Sequence, residues 1–170
     1  DLAIKVDGKV RLLIEVKAAA LELNDNHLRQ TLNYGANLGI EWLVLTNGIE
    51  WQLHKTVFSQ PIKHEEVSKF SLHSVSAQRQ DDLQVMFLLA REGMVSDAMN
   101  TFHQRSQLLN KFMVAQLLLS ESSVGSLRRD LRKLFPDLKV TVDQIHELLW
   151  NEVLKREVLE GDKVKEAQSR

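Results

Sequence analysis

The chain has no cysteine, only two prolines and no long apolar run. Without cysteine it forms neither a disulfide framework nor a thiolate metal site, which suits a reducing cytoplasm. No apolar stretch approaches the roughly 18 residues that a membrane-spanning helix requires. The first residues do not resemble a signal peptide, because Lys5 and Asp7 interrupt their apolar stretch. We therefore expect a cytoplasmic protein without a membrane partner.

An excess of either charge is also lacking. The 170 residues include 22 Lys and Arg against 23 Asp and Glu, which gives a net charge of -1. Strong unaided binding to nucleic acid usually shows as a basic excess. The balance argues against that class of protein, although a local basic patch remains compatible with it. No GxxxxGK[ST] phosphate-binding loop occurs, so these residues do not contain the ATP-driven motor that such a loop serves.

The first 70 residues or so show a mixed α/β pattern. Asp7-Gly8 and Asn47-Gly48 are hairpin turn signals, and Asn24-Asp25 can cap a helix that runs to about Leu38. Residues 59–74 are weakly patterned, and within them residues 67–72 could form a short edge strand. The other predicted strands cover residues 2–6, 10–16, 41–46 and 49–54.

From residue 78 onward the apolar spacing becomes helical. It predicts a helix ended by Gly93, a long helix to Leu119 that is broken near 104–107, a helix ended by Pro136, and a helix capped by Thr141 and stopped by Gly161. The predicted fold class is α+β: a mixed sheet with a flanking helix, followed by a helical bundle. The predicted domains are residues 1–75, residues 76–162 and a frayed polar tail over 163–170.

A cluster of charged residues near the start has the most specific chemical interpretation. Pairing the apolar faces of the first two strands places Leu2 opposite Ile14, Ile4 opposite Leu12 and Val6 opposite Val10, with a three-residue loop at 7–9. Asp1 then falls opposite Glu15, with the Cβ atoms about 5 Å apart. Lys17 shares the face of Glu15, because strand side chains alternate.

Two carboxylates this close repel each other unless a cation or a proton joins them. Carboxylate oxygens without His or Cys ligands favour Mg²⁺ or Mn²⁺. We expect Asp1 and Glu15 to be metal ligands in a site that activates water against a phosphodiester. Lys17 would be the catalytic cation that orients this water or stabilises developing charge.

The first helix adds a second element to this cluster. Gln30 and Tyr34 lie one turn apart, and His27 joins their stripe one turn earlier. We expect this stripe to face the carboxylates and to contact substrate or support Lys17. Charged residues on the outer face of a strand are common, and the spacing alone does not exclude that interpretation. The agreement of strand, register and helix favours the site.

Other candidates have simpler interpretations. The basic stripe on the third predicted helix could contact DNA phosphates, but a solvated helix face is the favoured explanation. Trp42 and Trp51 flank the Asn47-Gly48 turn, where cross-strand packing is favoured over base stacking. The six histidines show no metal-ligand spacing. The basic stripe on the third predicted helix consists of Arg128, Arg129, Arg132 and Lys133.

Three segments resemble the PD-(D/E)xK nucleases, and more narrowly the N-terminal nuclease domain of type I restriction enzyme R (restriction) subunits. They are the LLIEVK strand at 12–17, the Gln30…Tyr34 pair and the WLVLTNGIEW stretch at 42–51. The resemblance implies a Mg²⁺-dependent DNA endonuclease of a restriction-modification system. Asp1, Glu15 and Lys17 match its motif, Gln30 and Tyr34 its QxxxY helix. It also implies that the backbone carbonyl of Val16 is a metal ligand.

The resemblance leaves alternatives open. In the family, an upstream helix often supplies another acidic residue, and the sequence shows no such helix. The chain does not begin with Met, so we expect residues before Asp1. Its polar ending instead favours a stand-alone protein. Partners would be DNA and other restriction-modification subunits, with a homodimer through the helical domain as a further option. A second hypothesis is a catalytically silent nuclease fold kept for protein interaction. A third is a regulatory DNA binder that uses the 128–133 helix.

Overall fold

The computed structural model describes residues 1–137 and 139–168, with the side chain of Glu166 left aside. The chain forms two compact units, Asp1–Thr101 and Phe102–Arg170. The predicted domain boundary near residue 75 stays a prediction. In the described residues the sheet ends before it, whereas the first unit continues beyond it. No described helix is long and apolar enough to cross a membrane.

The first unit is built on a five-stranded sheet of order β1-β2-β3-β4-β5. Strands β2 and β3 are parallel and are connected through helix α1, while the other neighbours are antiparallel hairpins. This mixed sheet, followed by helices, confirms the predicted α+β class. Its elements are β1 (Leu2–Val6), β2 (Lys9–Val16), α1 (Asp25–Asn37), β3 (Trp42–Thr46), β4 (Glu50–Val57) and β5 (Lys63–Ser71).

The first hairpin has the predicted register at one end only. Leu2 pairs with Ile14 and Ile4 with Leu12, as the apolar pattern predicts. A bulge after Ile4 then shifts the register, so that Lys5 faces Val10 and Val6 faces Lys9. The predicted Val6–Val10 pair is therefore wrong. The turn is Asp7-Gly8, with φ of 51° and 79°, rather than a three-residue loop, and the bulge absorbs the extra residue.

Helix α1 covers one face of the sheet. Its N-cap is Asn24, whose side chain accepts a hydrogen bond from the backbone N–H of Asn26. Gly35 lies where α1 comes closest to the sheet, because a Cβ there would stand 3.1 Å from Leu43 Cδ2 and 3.2 Å from Leu13 Cδ1. This contact buries Leu13, Leu28, Leu32, Ile40, Leu43 and Leu45 in one cluster.

The edge strand β5 is longer than the sequence predicts. Strand β5 has nine residues, Lys63–Ser71, whereas the sequence indicates only a short strand over 67–72. The sequence of β5 is polar and therefore gives a weak strand signal. A strand at the edge of the sheet needs little apolar surface. Trp51 stacks on Phe70 of β5 with ring centroids 6.2 Å apart, and Trp42 is buried beside Lys55. The packing roles predicted for both tryptophans are confirmed.

Helices α2 (Gln80–Leu89) and α3 (Arg91–Val95) follow the sheet in the first unit, which ends at Thr101 in the first turn of the next helix. The sequence predicts that Gly93 ends a helix, but α2 ends at Leu89 and Gly93 lies inside α3. A Cβ at residue 93 would stand 1.9 Å from the carbonyl oxygen of Phe87. Gly93 therefore serves a close approach of backbone to backbone rather than a helix stop.

The second unit is helical and corrects three predicted boundaries. The long helix breaks at Asn110, which caps α5, instead of at 104–107. The last bundle helix ends at Val153, well before Gly161. The predicted frayed tail over 163–170 is a helix as far as Gln168, with Val164 buried, while residues 169–170 lie outside the described part. The elements from residue 98 onward are α4 (Ala98–Leu108), which begins in the first unit, α5 (Lys111–Leu119), α6 (Glu121–Leu134), α7 (Val142–Leu148), a π-helical turn (Leu149–Val153), a 3-10 turn (Arg156–Val158) and α8 (Asp162–Gln168).

Candidate active site

Glu15 lies near the end of β2 and is only 6% exposed. Its two carboxylate oxygens have different partners. The ammonium of Lys17 lies 2.5 Å from Oε1, and the hydroxyl of Thr31 on α1 donates to Oε2. The sequence predicts the shared face of Glu15 and Lys17, and the structure joins them in a hydrogen-bonded ion pair. This face of β2 is the one that α1 covers.

The surroundings keep Glu15 ionised. Burial alone raises the pKa of its carboxyl, since a charged group loses hydration in the interior. The hydrogen bonds from Lys17 and Thr31 and the charge of Lys17 outweigh that effect and hold the pKa below its usual value. Glu15 is therefore a buried carboxylate with two charge-stabilising partners.

A cavity of about 390 Å³ opens between α1 and strands β1 and β2. Glu15 does not line it but accepts a hydrogen bond from Thr31, which does. Asp1 borders it from the strand side, and Gln30 and Tyr34 border it from the helix side. Tyr34 is 60% exposed, so its ring is available to a bound molecule. Thr31 lines the same cavity and also binds Glu15. Three of the predicted site residues thus share one cavity, and a fourth, Glu15, is connected to it through Thr31.

The position of Asp1 opposite Glu15 stays a prediction. Strand pairing begins at Leu2, which faces Ile14, and one further step of that register reaches Asp1 and Glu15. Asp1 itself precedes the strand and is exposed. The structure therefore places Asp1 at the cavity, without a ladder bond that fixes its side chain against Glu15.

His27 caps the N-terminus of α1. Its ring Nδ1 accepts a hydrogen bond from the backbone N–H of Asn24 at 3.4 Å, which closes the capping box of α1. The residues that line the cavity do not include it. The substrate role predicted for His27 stays a prediction.

The segment after Lys17 is tied to the β3–β4 turn. The backbone N–H of Lys17 donates to the carbonyl of Thr46 at 2.7 Å. The amide group of Asn47 donates to the carbonyl of Leu21 at 2.9 Å, and its oxygen accepts from the backbone N–H groups of Ile49 and Glu50. Asn47 is buried. It thus joins the turn to the loop that connects β2 with α1.

Thr31 and Asn47 are residues whose roles the sequence analysis missed. Thr31 lies on the apolar face of α1, where helical spacing places it among Leu28, Leu32 and Gly35. A threonine on such a face is a signal for a buried polar partner, because an unpaired hydroxyl there is costly. The sequence predicts only a turn role for Asn47. The hydrogen bond from its side chain to Leu21 in the β2–α1 loop cannot be predicted from the neighbouring residues.

The residues predicted as metal ligands have oxygens that suit a hard divalent cation. Asp1, at the cavity, and Glu15, bonded to the cavity residue Thr31, would offer carboxylate oxygens, and Val16, which follows Glu15 on β2, would offer a backbone carbonyl. Within residues 1–137 and 139–168, no group of three or more His, Cys, Asp or Glu side chains is close enough to hold a metal. Mg²⁺ commonly uses one or two carboxylates and keeps several waters. The oxygens present are of the kind that Mg²⁺ uses.

The basic stripe of α6 is partly engaged within its own unit. Arg128 donates through Nε to the carbonyl of Val140 at 2.9 Å. Arg129 donates to the hydroxyl of Ser126, and Lys133 pairs with Asp130 at 2.8 Å. These bonds agree with a solvated helix face.

Comparison with known protein families gives a match over the start of the chain. Residues 1–70 match the family model described as "Type I restriction enzyme R protein N terminus (HSDR_N)". The match covers the sheet and α1, including the cavity residues, and stops one residue before the end of β5. It confirms the resemblance predicted from the strand and helix motifs. Neither the search of curated proteins nor that of solved structures gave a match.

Proposed function

We propose that the first unit is a Mg²⁺-dependent DNA endonuclease domain, similar to the N terminus of type I restriction enzyme R proteins. One observation supports it most. A buried, ionised Glu15 is bonded to Lys17 and also to Thr31, which lines a cavity together with Asp1, Gln30 and Tyr34. The family match extends over all of these residues. The partners would be DNA and other subunits of a restriction-modification system.

Each residue has a role that its surroundings permit. Asp1, Glu15 and the Val16 carbonyl would hold the cation. When bound, Mg²⁺ supplies Lewis-acid stabilisation of a phosphate and lowers the pKa of water. Lys17 would stabilise negative charge on the phosphodiester, with its ammonium oriented by Glu15. Gln30 and Tyr34 would contact the DNA backbone from the helix side of the cavity.

A plasmid cleavage assay tests this function. The protein is incubated with supercoiled DNA in Mg²⁺, in Mn²⁺ and in excess chelator, and nicked and linear products are quantified. Glu15→Gln keeps the size of the side chain and removes its charge. We expect it to lower the cleavage rate by about 10²-fold or more, as does loss of one charge-stabilising group in other active sites. Lys17→Ala should cause a similar loss.

Glu22→Gln is the matched control. Glu22 is an exposed acid in the loop between β2 and α1, so its charge can be removed without touching the cavity. It should retain the wild-type rate. Cleavage by Glu15→Gln at the rate of Glu22→Gln would contradict the proposal.

The second candidate is a catalytically silent nuclease fold that serves protein interaction or DNA binding. The described part of the chain has no group of three or more metal-ligating side chains, which favours this alternative. Thermal unfolding with and without Mn²⁺ separates the two functions. A bound cation stabilises the folded state by mass action, so the melting temperature should rise for the nuclease and stay unchanged for the silent fold.

A further inference from the structure

We infer that Thr31 is a positioning residue that fixes the carboxylate of Glu15 for cation binding. The inference rests on the proposed function and extends its site to a residue outside the predicted motif. Within the part of the chain that the structure describes, Thr31 alone both lines the cavity and bonds to Glu15. It therefore lies between the metal ligand and the space where substrate would bind.

The bond from Thr31 removes the remaining freedom of Glu15. A glutamate side chain rotates about three bonds, and its terminal torsion is broad. Lys17 holds Oε1 at 2.5 Å, but Lys17 directly follows the same strand and its flexible stem can follow the carboxylate. Thr31 holds Oε2 from a different element, at a buried position on α1. The plane of the carboxylate is then defined by the packing of helix on sheet.

The hydroxyl of Thr31 donates its hydrogen bond to Glu15 and not to its own helix. A helical threonine often donates its single hydrogen to a backbone carbonyl one turn earlier. Here it donates to Glu15 instead. Partners that orient ligating carboxylates typically change metal affinity or activity by about 10–100-fold when they are removed. Loss of the hydroxyl should therefore weaken cation binding even though Thr31 itself is not a ligand.

The alternative role for Thr31 is purely structural, since a buried carboxylate needs hydrogen-bond donors. The two roles differ in what a variant changes. A structural role affects unfolding, whereas a positioning role affects the dissociation constant for the cation in protein that remains folded.

The test uses the full chain and Mn²⁺, with binding measured by isothermal titration calorimetry and by the electron paramagnetic resonance signal of free Mn²⁺. Thr31→Val keeps the shape and removes the hydroxyl, while Thr31→Ser keeps the hydroxyl. We expect Thr31→Val to weaken Mn²⁺ binding by at least about tenfold, and Thr31→Ser to retain most of the affinity. Circular dichroism at the titration temperature establishes that each variant is folded.

Thr56→Val is the matched control. Thr56 is another buried threonine of the first unit, and its hydroxyl has no hydrogen-bond partner among the described residues. It should bind Mn²⁺ as the wild type does. Equal affinity in Thr31→Val and wild type would overturn the role of Thr31 and leave the proposed function standing. A wild type that binds no Mn²⁺ would overturn both.

Discussion

His54 should make the stability of the first unit depend on pH. It lies on β4 and is 1% exposed. Its Nδ1 lies 3.3 Å from Nδ1 of His64, and its Nε2 lies 3.4 Å from Oε1 of Gln52. Burial lowers the pKa of His54 from 6.5 to about 4, and the neighbouring His64 adds to that effect while Asp25 opposes it.

The size of the effect follows from the two pKa values. The unfolded chain binds a proton at His54 near pH 6.5, whereas the folded chain resists it down to about pH 4. Stability from this group is therefore complete above pH 6.5 and falls as the pH drops through the interval. The loss is about 2 kcal/mol between pH 7 and pH 5, and about 3 kcal/mol by pH 4. Below pH 4 the loss levels off, because the folded chain then also binds the proton.

Urea unfolding at pH 7, 6, 5 and 4.5 measures this dependence. We would use Trp150→Phe protein as the background, because Trp42 and Trp51 then report on the first unit alone. His54→Gln removes the titrating ring, so its free energy of unfolding should fall about 2 kcal/mol less than that of the background between pH 7 and pH 5.

His73→Gln removes an exposed histidine and is the matched control. It should lose stability with pH as the background does. Parallel curves for the background and His54→Gln would refute the reasoning, because the burial of His54 would then carry no proton linkage.

Three further predictions concern packing and hydrogen bonds, and each is checked by urea unfolding. Gly93→Ala should cost about 3 kcal/mol, because its Cβ meets a backbone carbonyl, whereas Gly125→Ala in α6 meets no close atom and should gain about 1 kcal/mol. Asn47→Ala should cost about 2 kcal/mol and speed tryptic cleavage after Lys17, since it frees the loop; unchanged cleavage would contradict this. Thr56→Val should gain up to about 1 kcal/mol by removing an unpaired hydroxyl, and a loss would mean that the hydroxyl has a partner.

The elements predicted well from the sequence are those with strong local signals. The Asn24 cap and the apolar face of α1 fix that helix within a residue at each end. The Asn47-Gly48 pair, with φ of 85° at Gly48, fixes the turn between β3 and β4. In both cases propensity, turn chemistry and apolar period agree, and such agreement makes a local prediction dependable.

The elements that were missed depend on distant parts of the chain. The bulge after Ile4 depends on the geometry of the whole hairpin, and the alternation of side chains along the strand does not predict it. Gly93 reads as a helix stop because glycine has poor helix propensity, yet its position is set by the carbonyl of Phe87. The hydrogen bond from Thr31 to Glu15 joins residues 16 apart in the chain, and only the packing of α1 on β2 brings them together.

The ion pair of Glu15 and Lys17 is better explained by chemistry than by stability. Desolvating a carboxylate and an ammonium is costly, and a buried ion pair can often be replaced by apolar residues of similar size at little or no loss. Its neighbours on this face are leucines, which would accommodate such a replacement. A sheet that needed only to fold could therefore continue its apolar face through residue 15. Lys17 also keeps 27% of its side chain exposed, so the pair borders solvent rather than the deep core. A charged pair at that boundary, bonded to the cavity residue Thr31, is costly for a scaffold, whereas the proposed phosphodiester hydrolysis would use it.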